Sequence, residues 1–388
     1  MPVPELLATQ QQPLGHYVLS CSCELAGGVA AGWLSPDTDD PIWDAFLERA
    51  SQGHFQQSSM WAAAKAIDGW RVIRIVLTWN GEIAGGFQIL YRRTRLGGYG
   101  YISKGPVLVP NEPAMVEFLI RLVIRTVKAN RLRALILQPP DESPIDERLL
   151  AGAGFLLNHL HRVISATLVY DVAGGADEIK KRMRLRTRAQ VKVAEKRGLT
   201  IREGGEQDVG MFFRLMAATC ERQQVMPNPA TETAMRQLWT SFKTRERIQL
   251  IFAEFRGTPI AGALCIRLGD RMTVWKKGWS GEHKELNPNH LVMFEAMLWA
   301  HQQGCKRFDC AGLDRGIATK MLRGEPLSEA QEKSRDRFNL GFGGIPALLP
   351  ESRVYIDNPL VRILYRLVTG TIRIRNIGRQ LMRREKSR

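Results

Sequence analysis

The feature that most constrains the fold of this chain is a pattern of elements that occurs twice. Residues 250–312 predict two strands, a Lys-Lys-Gly turn, a capped apolar helix and one more strand, in that order. A weaker copy runs over residues 71–138. Because glycines, helix caps and the final apolar strand agree in order, the pattern indicates a duplicated α/β unit. We therefore expect two similar domains, each with a mixed sheet flanked by helices.

The starts of the two long helices are alike. Asn111 and Pro113 lead into the first helix, and Asn287 and Pro288 lead into the second. Asparagine is a frequent N-cap, and proline suits the first helical turn because its φ is already helical and its missing N–H is not needed there. These pairs predict where each helix begins.

The predicted domain limits follow the repeat. Residues 1–35 show no firm period and are predicted to form an N-terminal arm. The first domain is expected over 36–175, and the second, which opens with basic helices, over 176–345. Residues 346–388 form a basic tail. Within the second domain, residues 337–344 predict a strand that runs into a Gly-rich turn.

The net charge of +16 is concentrated in two segments. Residues 180–197 hold nine Lys or Arg against one Glu, and residues 361–388 hold the same numbers. Such patches favour anionic partners, namely RNA, a lipid head group or a diphosphate, with solvated helix faces as the alternative. From Asn358 on, apolar residues alternate with arginines, which is typical of a helix at a membrane surface and also of a docked C-terminal helix.

Several classes of function find no support in the sequence. It contains no Walker loop, nucleophile elbow, zinc signature or dinucleotide fingerprint, and no convincing loop of the type that holds the pyrophosphate of CoA. Six scattered cysteines are interpreted as reduced, packing thiols of a cytoplasmic protein. No apolar run reaches the roughly 20 residues of a membrane span. We expect no metal, no cofactor and no DNA partner, and a peripheral contact of the tail with the inner face of the plasma membrane.

A series of short motifs follows the repeat in order, from about Asp40 to Gly344. Each motif is loose alone, but the ordered set resembles the FemABX family. The motifs in the first part are Phe55-Gln56-Gln57-Ser58-x-x-Trp61-x-x-x-Lys65 and Tyr101-Ile102-Ser103-Lys104-Gly105-Pro106-Val107. Those in the second part are Arg188-x-x-x-Lys192-x-Ala194-Glu195-Lys196-Arg197-Gly198-Leu199, Ile260-Ala261-Gly262-Ala263-Leu264, Asn287-Pro288-Asn289, Trp299-Ala300, Phe308-Asp309-x-Ala311-Gly312 and Phe338-x-x-Gly341-Phe342-Gly343-Gly344.

The resemblance implies an α/β fold with two tandem acetyltransferase-like (GNAT-type) domains. Proteins of this family are peptidyltransferases that move an amino acid from aminoacyl-tRNA to an amine of a peptidoglycan precursor. The resemblance thus implies an acyltransferase with aminoacyl-tRNA as donor and a lipid-linked or nucleotide-linked envelope precursor as acceptor. The alternatives are an acyl-CoA-dependent N-acyltransferase that acts on an envelope sugar or amine, and a non-catalytic RNA- or membrane-binding protein.

The resemblance also assigns site residues. The predicted substrate-binding residues are Trp61, Lys65, Lys104, Gly105 and Lys277. Trp61 and Lys65 are expected on one face of a helix capped by Ser58 or Ser59, with Lys65 close to a phosphate. The candidates for the chemistry are Phe338, Asn339 and Asp309. The predicted RNA or phosphate patch consists of Arg188, Lys192 and Lys196.

Three positions depart from the family pattern. Where the family often has an Asp after the Gly-Pro pair, this chain has Val107-Leu108-Val109. Where the family has an Arg-Pro pair after the second-domain helix, this chain has Asn228-Pro229. Where the family usually reads Phe-Lys, this chain reads Phe338-Asn339, so the expected catalytic cation is missing. The Asn339 amide can donate a hydrogen bond to an oxyanion but carries no charge.

Overall fold

Two mixed sheets flanked by helices make up the computed structural model, which describes residues 16–36, 38–95, 97–159 and 163–370. The first part of the chain forms, in order, β1 (Val18–Leu25), β2 (Gly28–Ser35), α1 (Pro41–Arg49), α2 (Ser59–Ala66), β3 (Arg71–Trp79), β4 (Glu82–Thr94), β5 (Gly97–Ser103), β6 (Val107–Leu108), α3 (Pro113–Ala129), β7 (Leu132–Gln138), α4 (Glu147–Gly152) and β8 (Leu156–Leu157).

The second part continues with β9 (Ala166–Asp171), α5 (Gly175–Arg182), α6 (Leu185–Lys196), β10 (Leu199–Gly204), α7 (Val209–Arg222), α8 (Glu232–Lys243), β11 (Ile248–Phe255), β12 (Thr258–Leu268), β13 (Arg271–Trp279), α9 (Pro288–Gln302), β14 (Arg307–Asp309), α10 (Arg315–Leu322), α11 (Glu329–Glu332), α12 (Arg337–Leu340), β15 (Ile345–Leu348) and β16 (Arg353–Ile356). A C-terminal helix follows over residues 359–370. None of the helices in the described ranges is long and apolar enough to cross a bilayer.

The predicted duplication is confirmed by the strand pairing. In the first sheet β3, β4 and β5 pair antiparallel, and α3 crosses over to β7, which is parallel to β5. In the second sheet β11, β12 and β13 pair antiparallel, and α9 crosses over to β14, which is parallel to β13. A parallel neighbour requires such a crossover, and the long helix between the strands supplies it. The two sheets are therefore built on the same unit.

Each sheet also contains a strand that lies outside the residue range predicted for its domain. The first sheet ends in the order β7-β16-β8, and the second ends in β14-β9-β15. The limits predicted at 175 and 345 separate these exchanged strands from the sheets they join, because β9 precedes 175 and β16 follows 345. Local apolar patterning identifies a strand but carries no information about its partner. Because β16 pairs with β7, the C-terminal part of the chain is hydrogen-bonded to the first sheet.

Three elements differ from the sequence prediction. The predicted Lys-Lys-Gly turn, residues 276–278, lies within β13, where it pairs with β12. Residues 18–35 form the β1–β2 hairpin, which pairs with β3, and not a separate arm; residues 1–15 lie outside the described ranges. The small side chains of this hairpin, such as Cys21, Cys23 and Ala31, give only a weak alternation of apolar and polar positions. Residues 337–340 form one helical turn, α12, and not a strand.

A hydrophobic cluster crosses from one half of the molecule to the other. The ring of Phe55 lies 6.2 Å from that of Phe242, and the ring of Trp61 lies 5.8 Å from that of Trp275, centroid to centroid. Ion pairs add to this contact: Arg245 with Asp44, Arg247 with Glu48, and Arg271 with Asp141. Because the halves share a close-packed core, the cleft between them has well-fixed walls.

Candidate active site

A large cleft opens where the two halves meet. Its volume is about 1210 Å³. The first half contributes Gln138, at the end of β7, and the loop that follows β8. The second half contributes the end of β13, the loop between α7 and α8, and the start of α12. A cleft lined by both halves at strand ends is the expected place for a substrate of considerable size.

Lys277 on β13 places its ammonium group at the wall of this cleft. Its Nζ donates a hydrogen bond of 2.8 Å to Oδ1 of Asn339 and lies 4.8 Å from the ring centroid of Phe338. Burial lowers the pKa of Lys277, while the nearby Cys310 and Asp336 act in the opposite direction. The structure thus brings together three of the predicted site residues, and it supplies a cation beside the position where the sequence lacks one.

The turn that carries Phe338 and Asn339 is held from both sides. The hydroxyl of Tyr170 on β9 donates to the backbone oxygen of Asn339 at 2.9 Å. On the other side the backbone N–H of Arg184 donates to the oxygen of Gly341 at 2.9 Å. A Cβ at Gly341 would lie 2.2 Å from Oγ1 of Thr187, so only glycine permits this close approach. The α5–α6 junction therefore fixes α12.

Asp309 lies at the end of β14, below the cleft floor. Its carboxylate accepts hydrogen bonds from the Thr167 hydroxyl at 2.5 Å and from the backbone N–H of Ala311 at 2.8 Å. Arg271 Nη1 is 3.9 Å from it. Ala311 has a φ of 58°, so the carboxylate stabilises a turn in the left-handed region. These contacts give Asp309 the geometry of a residue that positions the floor formed by residues 310–312.

The predicted substrate-binding residues Trp61 and Lys65 lie on α2 and are not among the residues that line the cleft. The Ser58 side chain accepts from the backbone N–H of Trp61 at 3.2 Å and caps α2, as one of the two predicted caps. Trp61 is buried against Trp275, which lines the cleft. Lys65 Nζ is 5.5 Å from the Trp61 ring and 2.5 Å from Oδ2 of Asp68. Lys65 is thus already paired with a carboxylate on its own half of the molecule.

Lys104 and Gly105 follow β5 and lie beneath the same cleft. The N–H of Gly105 donates to the oxygen of Gln138 at 3.0 Å, and its lack of a side chain leaves room for Gln57. Lys104 is only 7% exposed, and its Nζ has no hydrogen-bond partner among the described residues. Burial lowers the pKa of Lys104 to about 8, although Asp141 and Asp309 favour the charged form.

Lys104 belongs to a buried cluster of charged groups with Arg271, Asp141 and His54. The sequence analysis did not single out these three other residues. Arg271 donates to both carboxylate oxygens of Asp141, with Nη1 3.0 Å from Oδ1. Burial lowers the pKa of His54 well below its ordinary value, and the cations Lys104 and Arg271 lower it further. A signal did exist for Asp141, because it follows β7 directly after two prolines, as Asp309 ends the equivalent strand β14.

We expect Lys104→Met to stabilise the fold, and more so at pH 7 than at pH 10. The pKa of about 8 lies below the ordinary 10.5, so protonation costs the folded state free energy. The contribution of Lys104 to stability is complete above pH 10.5 and is lost as the pH falls through 8. The gain at pH 7 is about 2 to 3 kcal/mol. Urea unfolding at both pH values, with exposed Lys128→Met as control, tests this; an equal effect at both would contradict it.

The predicted RNA or phosphate patch lies on α6. Arg188 Nη2 donates to the backbone oxygens of Lys181 and Met183, at 3.2 and 3.4 Å, and thereby braces the α5–α6 junction. Lys192 and Lys196 are exposed on the same helix. Since this junction also contacts α12, the cationic surface begins next to the Phe338-Asn339 turn.

No group of three or more His, Cys, Asp or Glu side chains suited to a metal ion occurs within the described residues. The groups brought together at the cleft are an ammonium, an amide, an aromatic ring and backbone turns. Such groups bind and stabilise negative charge.

Comparison with known proteins finds relatives of both halves of the chain. Residues 39–146 match the model of the FemAB family, and residues 181–316 match that of an acetyltransferase (GNAT) domain. A lipid II:glycine glycyltransferase of Staphylococcus epidermidis is 22% identical over 342 residues, which cover 70% of this chain and 82% of that protein. One from Staphylococcus aureus is 27% identical over 191 residues, 46% of this chain and 45% of that protein.

The fold agrees with these matches. The crystal structure of FemX superposes with a TM-score of 0.71 at 18% identity, covering 84% of this chain and 97% of that one. The two family models fall on the two halves that the strand pairing defines. The first half of the chain therefore resembles the FemAB family and the second half a GNAT domain, and the chain is an acyltransferase built from two tandem GNAT-type domains.

Proposed function

We propose that this protein moves an aminoacyl group from aminoacyl-tRNA to an amine of a lipid-linked peptidoglycan precursor. The observation that carries the proposal is the pair formed by Lys277 Nζ and Asn339 Oδ1, 2.8 Å apart at the wall of a cleft between two acyltransferase-type domains. The relatives named lipid II:glycine glycyltransferase support the class of acceptor.

The reaction that fits this cleft needs little from the protein beyond alignment and charge. A neutral amine attacks the ester carbonyl of the donor, and a carbon–nitrogen bond forms. The ester carbon–oxygen bond then breaks, and the released ribose hydroxyl takes up the proton that the amine loses. In between, negative charge develops on the carbonyl oxygen. The ammonium of Lys277 is placed to stabilise that charge, with Asn339 fixing its direction and the low solvent access of the site strengthening the attraction.

The donor end of the cleft is assigned by the cationic surface on α6. This surface begins at the junction that holds α12, so a polyanion bound along α6 reaches the Phe338-Asn339 turn without crossing the molecule. The single-stranded acyl end of a tRNA is thin enough to enter the cleft while its body stays on the helix. Phosphate contacts of exposed Lys and Arg supply the affinity for such a body.

We expect the triple variant Arg188→Ala/Lys192→Ala/Lys196→Ala to bind tRNA about tenfold or more weakly near physiological salt, because three phosphate contacts are lost. The slope of binding against salt should become shallower as well. Filter binding with a charged tRNA over a salt series measures both quantities. The matched control also replaces three cations with Ala, on the outer face of α3, at Arg121, Arg125 and Lys128, which are exposed. Equal losses in the two variants would remove the link between α6 and RNA.

A donor comparison tests the proposed function directly. The protein is incubated with an amine acceptor and either a set of charged tRNAs or acyl-CoA, and the loss of each donor is followed. Transfer from tRNA alone is the expected result. Transfer from acyl-CoA alone would instead favour an N-acyltransferase of the kind suggested by the GNAT-domain match. Binding of RNA without any turnover would identify a non-catalytic protein.

We propose that the acceptor end is the part of the cleft wall formed by Trp275. The buried Trp61 packs behind Trp275, and Lys65, which lies over the Trp61 ring, is paired with Asp68. Lys104 and Gly105 shape the floor beneath. A lipid-linked acceptor is part of a membrane, so the enzyme must work in peripheral contact with that membrane's cytoplasmic face.

A further inference from the structure

The C-terminal helix over residues 359–370 exposes nearly all of its apolar side chains. Leu360 is 74% exposed and Leu364 is 59% exposed. Exposed with them are Val361, Ile363, Leu367 and Val368. Single exposed apolar residues are ordinary, but six on three turns of one helix form a continuous patch, and such patches mark binding surfaces.

The helix is nevertheless firmly seated on the protein through its remaining face. Arg362 Nη2 donates to the backbone oxygen of Ile356 at 2.7 Å, and its guanidinium lies over the Tyr355 ring. The Tyr365 hydroxyl donates to the oxygen of Leu157 at 3.0 Å, and Thr369 is 6% exposed. Residues 362, 365 and 369 lie three and four positions apart and therefore share one side of the helix. The apolar patch points away from the body because the polar side is docked.

The positive charge close to this patch in the sequence indicates an anionic partner. Arg366 is exposed on the helix. The 18 residues that follow it to the end of the chain contain seven Lys or Arg and one Glu. An apolar face flanked by this excess of positive charge matches the interface of an anionic bilayer, where apolar side chains enter the acyl region and cations meet head groups. A protein partner or a second copy would not require the cations.

We propose that the patch on residues 360–368 docks in the surface of an anionic membrane and holds the cleft mouth at that surface. The second half of this inference rests on the proposed function. Residues 157–159 line the cleft, and the backbone N–H of His159 donates to the Tyr365 hydroxyl at 3.0 Å. The helix and the rim of the cleft are thus joined by hydrogen bonds, so a bilayer that receives the helix lies beside the opening.

Flotation of the full chain with vesicles tests the docking. Vesicles of phosphatidylcholine with about a third phosphatidylglycerol should carry the protein, and neutral vesicles should carry less of it. Leu360→Glu/Leu364→Glu is expected to lower the partition coefficient about tenfold or more, since two leucines that enter the bilayer in this proposal are replaced by charges that anionic lipid repels. The control Val109→Glu/Leu322→Glu also introduces two glutamates at exposed apolar positions, and it should lower the partition coefficient less than about twofold. Equal partition of the two variants would overturn the proposal.

Two further readouts separate the alternatives. If the apolar face instead joined two copies of the chain, the Leu360→Glu/Leu364→Glu variant would turn a dimer into a monomer in light scattering and leave flotation unchanged, which would overturn the proposal. Transfer is then assayed with a lipid-linked acceptor in vesicles and with a water-soluble acceptor peptide. The variant should lose only the former. Flotation without transfer to either acceptor would reject the proposed function and leave the docking standing.

Discussion

Replacing Lys277 with methionine is expected to lower kcat for aminoacyl transfer by about 100- to 1000-fold, the usual effect of removing one oxyanion-stabilising donor. Methionine keeps the length and most of the volume of the side chain while removing the ammonium that meets Asn339. The fold should persist, because methionine fills most of the same space and the loss of the ammonium removes the desolvation cost by which burial lowers the pKa of Lys277. Single-turnover rates with a charged tRNA and an acceptor peptide measure the effect.

Moving the positive charge from residue 277 to residue 339 tests whether the cation itself is responsible for the effect. Asn339→Lys alone puts a second ammonium against Lys277 and should also lower the rate, because like charges at this separation repel. Lys277→Met/Asn339→Lys should recover part of the lost activity, since it returns the cation to the position after Phe338 where the family usually has it. The exposed Lys306→Met serves as control. An active Lys277→Met, or a double variant no better than the single one, would show that the cation has no catalytic part.

Much of the fold could be predicted from the sequence because short local motifs define the elements of the repeat. Pro288 at the start of α9 and the Asn80-Gly81 turn between β3 and β4 have strong and local conformational preferences. The exchange of β9 and β16 was not accessible. Their apolar residues predict burial, but pairing across the chain depends on the assembled sheet. The β1–β2 hairpin was missed because its side chains are small.

The candidate site was accessible only in part, for a related reason. Phe338, Asn339 and Lys277 were each singled out, yet nothing in the sequence places Lys277 against Asn339, 62 residues away. The sequence indicated that a cation is missing because residue 339 is Asn and not Lys. In the structure, however, the ammonium of Lys277 lies beside Asn339 and supplies a positive charge there. Similarly, Arg271 at the first position of β13 has the sequence context of an ordinary solvent-facing arginine after a turn. In the structure Arg271 is buried at the contact between the halves, where it stabilises the fold by pairing with Asp141.

Arg271→Met is expected to destabilise the protein by about 3 kcal/mol, the lower end of the range for breaking a buried ion pair, because Lys104 remains close to compensate the carboxylates. Arg271 holds both oxygens of Asp141 and lies 3.9 Å from Asp309, and its side chain is 7% exposed. Replacing both partners, as in Arg271→Met/Asp141→Leu, should restore much of the loss, since no unpaired charge is then left buried. Urea unfolding of the four proteins in the double-mutant cycle measures the coupling. Lys333→Met, in the exposed pair with Glu329, should cost under about 1 kcal/mol.

The same ion pair predicts how the contact between the halves responds to acid. Arg271 holds the pKa of Asp141 well below its ordinary value, against the effect of burial. A lowered pKa means that the charged carboxylate stabilises the fold fully above about pH 4 and that this stabilisation is lost as the pH falls below it. Asp141→Asn should therefore flatten the acid limb of the stability profile while lowering stability at pH 7. Because the pair joins the first half to β13, the strand that carries Lys277, its loss should also slow transfer at neutral pH. An Asp141→Asn protein with unchanged acid sensitivity would show that other carboxylates hold the two halves together.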